Sequence, residues 1–237
     1  FFIMRRLCEP AVIMECKIMS YEKMHELVDS NFDDLVTGIQ KFVGMDSVAD
    51  EALVDMSAAD PFGPKMTKVL SEFLAYAKAE GFTTKNVANA AGYAECGEGD
   101  TLIGLLCHLD VVPTGSREQW KHDPFTAVIE DGKLYGRGTI DDKGPALASL
   151  FAMKAIRDSG IQLKRRYRLI VGFDEESGFS RCLGKYLAVE ETPNYSFSPD
   201  AFFPVINAEK GIIRFDLVRK GEQTRSDVVL DKMIAGD

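Results

Sequence analysis

Nothing in this chain offers the paired thiols of a redox motif or a zinc knuckle. Its five cysteines, Cys8, Cys16, Cys96, Cys107 and Cys182, are odd in number and scattered, with no CxxC among them. That usage suits a reducing compartment, so a cytoplasmic location is expected. No stretch approaches the roughly 20 apolar residues of a membrane span. An excess of basic charge is missing as well. The formal net charge is −9, which repels phosphate backbones and anionic lipid, so nucleic acid and membrane surfaces are not expected partners. Divalent cations and small peptides suit such a chain better. Internal repeats and low-complexity segments are absent. With 46% hydrophobic and 27% charged residues, the composition is that of a globular protein with a sizeable core.

At the amino terminus, Arg5 and Arg6 followed by Leu7 to Met14 resemble a secretory leader only superficially. Glu9 and Pro10 break the apolar run and Glu15 closes it. Residues 1–19 are therefore expected to be an extension ahead of the organised chain. From Tyr21 to Val43, Met24, Leu27, Val28, Phe32, Leu35, Ile39 and Phe42 recur at helical spacing, predicting one helix with a buried face. A second helix is predicted through Met66, Val69, Leu70, Phe73, Leu74 and Ala77, with Pro64 ahead and Gly81 behind.

Leu102 to Cys107 is apolar without alternation, as in a strand covered on both faces, and it delivers His108 to its carboxyl end. Asp131-Gly132 between Val128-Ile129 and Leu134-Tyr135 predicts a tight hairpin. Directly after Asp141-Asp142 a helix is predicted, with Pro145 in its first turn and a stop at Gly160. Tyr167 to Phe173 reads as a second buried strand ending at Asp174-Glu175-Glu176, and Tyr195 to Ser198 as a weaker one ending at Asp200. Strands alternating with helices predict an α/β fold, a three-layer sandwich whose functional groups gather at the carboxyl ends of a mostly parallel sheet.

Those ends and one loop present His108, Asp110, Asp141, Glu175, Glu176 and Asp200. Each alone has a plain reading, since a His-x-Asp at a strand end is often structural and a Glu-Glu pair is usually a solvated face. Their joint placement argues otherwise. If the strands adjoin, the carboxylates converge, and like charges at a few ångströms stay ionised only with cations among them. Two divalent metals roughly 3.5–4 Å apart would neutralise the cluster and supply hydrolytic chemistry. His122 beside Trp120 reads as a surface residue, His25 as part of a solvated helix face, and Cys107 as a small buried hydrophobe. Lys143-Gly144-Pro145 reads as shaping a helix start, with Gly144 allowing close backbone approach.

The segments His108-Leu109-Asp110-Val111-Val112-Pro113, Gly136 to Pro145, Asp174-Glu175-Glu176-Ser177-Gly178 and Ser198-Pro199-Asp200-Ala201 resemble four successive metal-site motifs. They are those of the co-catalytic metallopeptidases that include carboxypeptidase G, aminoacylase, carnosinase and the PepV-type dipeptidases. The resemblance runs from about Tyr21 to Gly221 and is strongest to the PepV-type branch, through Pro199 to Pro204 and Ala208-Glu209-Lys210-Gly211. It implies hydrolysis of dipeptides with a free amino terminus, with two divalent ions as cofactors, zinc first and manganese or cobalt as alternatives.

By the same resemblance, His108 and Asp200 hold one metal, Glu176 the other, and Asp141 bridges both. Glu175 is the general base, and Asp110 orients the His108 imidazole. The peptide bond between Asp141 and Asp142 is expected to be cis. Family members are longer, inserting a smaller lid domain and then completing the catalytic sheet. Residues 20–211 are accordingly expected to be the first part of the catalytic domain, and 212–237 the start of a lid, with Ile212 to Val218 as its first strand. The family's last histidine ligand and lid residues have no candidate in this sequence. An amino-acid deacylase of the same family, or a non-catalytic metal-binding remnant, are the alternative readings.

Overall fold

The computed structural model describes residues 21–201 together with Ile206, Ala208 and Gly211. The expected extension at 1–19 and lid segment at 212–237 lie outside the described residues. Two compact units are distinguished, Phe1–Ala201 and Phe202–Asp237, and every feature below belongs to the first.

A central sheet has the strand order β1-β2-β6-β3-β7, with β1 Thr83–Val87, β2 Ala91–Cys96, β3 Leu102–His108, β6 Arg166–Gly172 and β7 Tyr195–Phe197. β6, β3 and β7 run parallel, and β1 and β2 add an antiparallel edge beside β6. The expected α/β class with parallel strands at its centre is what the chain adopts. A separate hairpin, β4 Val128–Glu130 and β5 Lys133–Tyr135, turns at Asp131 and Gly132, both at positive φ.

Three helices, α1 Phe32–Val43, α2 Pro64–Ala79 and α3 Lys143–Asp158, share one core with the sheet. It contains Phe42, Met66, Leu70, Phe73, Leu105, Leu147, Leu150 and Leu169, and the Phe42 and Phe73 rings meet edge to face at 5.4 Å. The predicted stripe of α2, from Met66 to Ala77, is buried throughout. The opposite face is covered by α4, Arg181–Leu187, whose Tyr186 packs with Val87, Ala91, Tyr93 and Ile170. Helices on both faces of one sheet give the three layers.

Two differences from the sequence reading have local causes. The helix predicted from Tyr21 to Val43 is interrupted at Asn31, between helical residues 21–30 and α1. The Asn31 side-chain amide donates to the Leu27 carbonyl at 2.6 Å, competing with the backbone ladder. The β1–β2 hairpin was not anticipated. Its turn places Ala88 and Asn89 at φ 50° and 53°, a geometry usually announced by Asn-Gly.

Candidate metal centre

β3 and β6 pair in parallel up to His108 opposite Gly172, and the chain beyond β3 continues the pairing with Leu109 N–H donating to the Gly172 carbonyl at 2.9 Å. Both strands therefore release their next residues at the same edge. One delivers His108 and Asp110, the other Asp174, Glu175 and Glu176. Asp141 reaches that edge on the loop ahead of α3. This loop is tight: a Cβ on Gly144 would stand 2.0 Å from the Thr139 carbonyl oxygen, so only glycine fits. The Asp141–Asp142 peptide is cis.

His108 is buried, and its two ring nitrogens face different company. Nδ1 lies 2.9 Å from the main-chain carbonyl of Asp110 and 3.3 Å from that residue's Oδ1. Asp110 thus contacts the ring as expected, with its main-chain oxygen the nearer acceptor. Nε2 lies 3.0 Å from Asp141 Oδ1, 3.4 Å from Asp200 Oδ2 and 3.9 Å from Glu175 Oε2. It is nonetheless a buried nitrogen without a hydrogen-bond partner. Glu176 closes the ring of acids, accepting from Val112 N–H at 3.3 Å while its own N–H donates to Asp110 Oδ2 at 3.2 Å.

Two overlapping groups have ligand atoms within 4.8 Å of one another: His108, Glu175 and Asp200, and His108, Asp141 and Glu176. Five of the six expected residues fall in these groups, and Asp110 touches His108 and Glu176 beside them. The electrostatics favour positive charge at this place. Burial opposes protonation of His108, but its hydrogen bond with Asp110 and the charges of Asp110, Asp142 and Asp200 prevail and push its pKa up to about 10. Burial, first of all, and the neighbouring carboxylates raise Glu175, Glu176 and Asp200.

An imidazole nitrogen aimed without a partner at several carboxylate oxygens, its other nitrogen anchored by Asp110, is a donor set that suits a divalent metal ion. The residues present fit divalent ions.

Several participants escaped the sequence reading. Asp142, fully buried, accepts the His108 main-chain N–H at 3.0 Å, and burial pushes its carboxyl up to about 7. Lys143, equally buried, donates to the Met45 carbonyl at 2.6 Å. Arg181 holds Asp174, and Ser47 holds the segment after β3. Only the Asp-Asp-Lys-Gly run hinted at the first two. His122 lies outside the cluster, 3.0 Å from Glu130 and edge-on to Tyr135, and His25 is exposed on its helix. Cys107, half-buried at the end of β3, belongs to neither ligand group, and burial raises its thiol well above the ordinary range.

Residues 104–219 match the model of peptidase family M20/M25/M40. YtjP of Bacillus subtilis, a dipeptidase by name, is 47% identical over 186 residues, which cover 78% of this chain and 39% of that protein. The Beta-Ala-Xaa dipeptidase of Lactobacillus delbrueckii subsp. lactis is 38% identical over 212 residues, 89% of this chain and 44% of the relative. Human carnosine dipeptidase 1 shares the fold, with a TM-score of 0.62 at 23% identity over 77% of this chain and 41% of its own. The chain spans less than half the length of the curated relatives it matches.

Proposed function

Because the chain carries a domain of peptidase family M20/M25/M40, we propose that it is the metal-binding part of a longer cytoplasmic dipeptidase acting on dipeptides with a free amino terminus. One observation carries this reading. The buried Nε2 of His108 faces Asp141, Glu175 and Asp200 at 3.0–3.9 Å and makes no hydrogen bond. The dipeptidase names of two relatives supply the substrate class.

In this reading His108, Asp200 and Asp141 would hold one divalent ion, and Glu176 with Asp141 would hold a second. Zinc is the first choice, because imidazole with carboxylates suits it, and manganese or cobalt are the alternatives. When bound, such ions polarise a scissile carbonyl and acidify an attacking water. The protein's own groups do the rest. Asp110 fixes the imidazole so that Nε2 keeps its lone pair toward the centre. Glu175, whose side chain is 56% exposed, is open to substrate. It takes a proton from the attacking water and hands it to the departing amine.

Calorimetric titration of the metal-free chain with zinc or manganese tests the binding half, with His108→Ala as the control. Dipeptide hydrolysis by the longer protein, with and without chelator, tests the catalytic half. Binding that survives His108→Ala unchanged would remove the centre from this place.

A further inference from the structure

Ser47 lies 61 positions before His108 in a segment to which the sequence assigns no chemistry, yet it is fully buried and grips the backbone on both sides of Asp110. Its hydroxyl donates to the Leu109 carbonyl at 2.6 Å, and its own carbonyl accepts from Val111 N–H at 3.2 Å. Val48 then pairs with Val111 as an isolated parallel bridge. The segment is anchored in turn by Met45, whose carbonyl receives the buried Lys143 ammonium.

Between the two gripped residues, Asp110 touches the centre twice. Its main-chain oxygen and Oδ1 face His108 Nδ1, and its Oδ2 receives the Glu176 N–H. Two peptide planes pinned by one residue fix where both of those contacts fall.

We infer that Ser47 is a positioning residue for the metal centre, acting through Asp110 on His108 and Glu176. The inference rests on the metal-centre reading above. A hydroxyl is needed there because the Leu109 carbonyl, held in a buried site, has to be met by a donor. Serine is needed because the position is fully enclosed. Loss of the hydroxyl frees the Leu109–Val111 segment to shift, and groups that orient ligands lose about 10–100-fold in metal affinity when altered.

The test compares Ser47→Ala with Val69→Ala, a core truncation in α2 that lowers stability away from the centre. Two quantities are read: zinc affinity by titration with zinc chloride, and hydrogen exchange of the Glu176 amide in the metal-free chain. Ser47→Ala should weaken zinc by about tenfold and speed Glu176 exchange by a similar factor, with Val69→Ala leaving both within about twofold. Unchanged Glu176 exchange in Ser47→Ala, or an equal change in Val69→Ala, overturns the inference. The exchange arm holds whether or not zinc binds, whereas an unaltered chain that binds no zinc refutes the metal centre itself. Should Ser47→Ala fail to fold, Ser47→Cys, similar in size and a weaker donor, carries the same criteria. The unaltered chain supplies a further check, since the amides of Val111 and Glu176 should then open together. Independent opening of the two overturns the link.

Discussion

Arg181 grips the carboxylate of Asp174 with two side-chain nitrogens, Nε to Oδ2 at 2.8 Å and Nη2 to Oδ1 at 2.7 Å, and adds its main-chain N–H to Oδ2 at 2.8 Å. Asp174 sits at φ 84°, a backbone region that costs a non-glycine residue about 1–3 kcal/mol and persists only when its surroundings impose it. The next two residues are Glu175 and Glu176. The pair therefore holds the turn from which both acids enter the centre. It reaches further through Glu51, which also contacts Arg181.

Arg181→Met should destabilise the chain by about 2 kcal/mol, below the ~3–5 of a fully buried pair because the guanidinium is 30% exposed. Urea unfolding measures this. Metal affinity should fall with it, because the Glu175–Glu176 turn loses its brace. A variant with full stability and unaltered affinity would show that Asp174 needs no guanidinium.

Protonation gives a second prediction. In the metal-free chain the pKa of His108 stands at about 10 against an ordinary 6.5. The folded state then binds its proton more tightly than the unfolded state. The stabilisation from this group is fully present below about pH 6.5 and is lost as pH rises toward 10. A bound ion takes the proton's place, so metal binding near pH 8 should release about one proton and remove most of this pH dependence. Melting temperatures from pH 6 to 10 with and without chelator, and titrations in buffers of different ionisation enthalpy, check it. Proton uptake on binding would reverse the assignment of His108.

Catalysis in the longer protein gives a third. Glu175→Gln keeps a side chain of the same shape but cannot accept the proton. The metals should stay bound and the dipeptidase rate should fall by at least about a hundredfold. Steady-state kinetics with metal analysis separates this from a ligand role, in which metal content would fall as well.

Much of this centre was legible because its residues follow apolar strands or open a helix, and those transitions are written locally. Leu102 to Cys107 announces a strand, so His108 must stand at its end; Pro145 and Gly160 bracket a helix, so Asp141 must precede it. The β1–β2 hairpin was hidden because β1 is mostly exposed and polar and its turn lacks glycine. The break at Asn31 was hidden because the apolar period continues across it. The braces were hidden for another reason. Ser47 meets Leu109 across 62 positions and Arg181 meets Glu51 across 130, and no local pattern encodes contacts of that range.

The last prediction follows from counting nitrogen ligands. The chain has three histidines. His25 is exposed on the helix at residues 21–30, and His122 is engaged with Glu130, leaving His108 as the imidazole of the centre. Both candidate groups share that one residue, the first adding Glu175 and Asp200 and the second Asp141 and Glu176. A single Nε2 serves one ion. The first ion takes it together with Asp200 and Asp141, enough protein groups to hold zinc with water completing the shell while Glu175 stays free as the base. A second ion in this 237-residue chain must accept carboxylates alone, although these metals favour nitrogen. It should bind at least about a hundredfold more weakly, a difference of ~2.7 kcal/mol. With one well-held ion, the chain by itself should hydrolyse dipeptides negligibly. Titration of the metal-free chain with zinc, alongside a dipeptide assay, gives the answer. Two equally tight ions with brisk turnover would require a nitrogen ligand from another molecule, and a sedimentation measurement would then reveal a dimer.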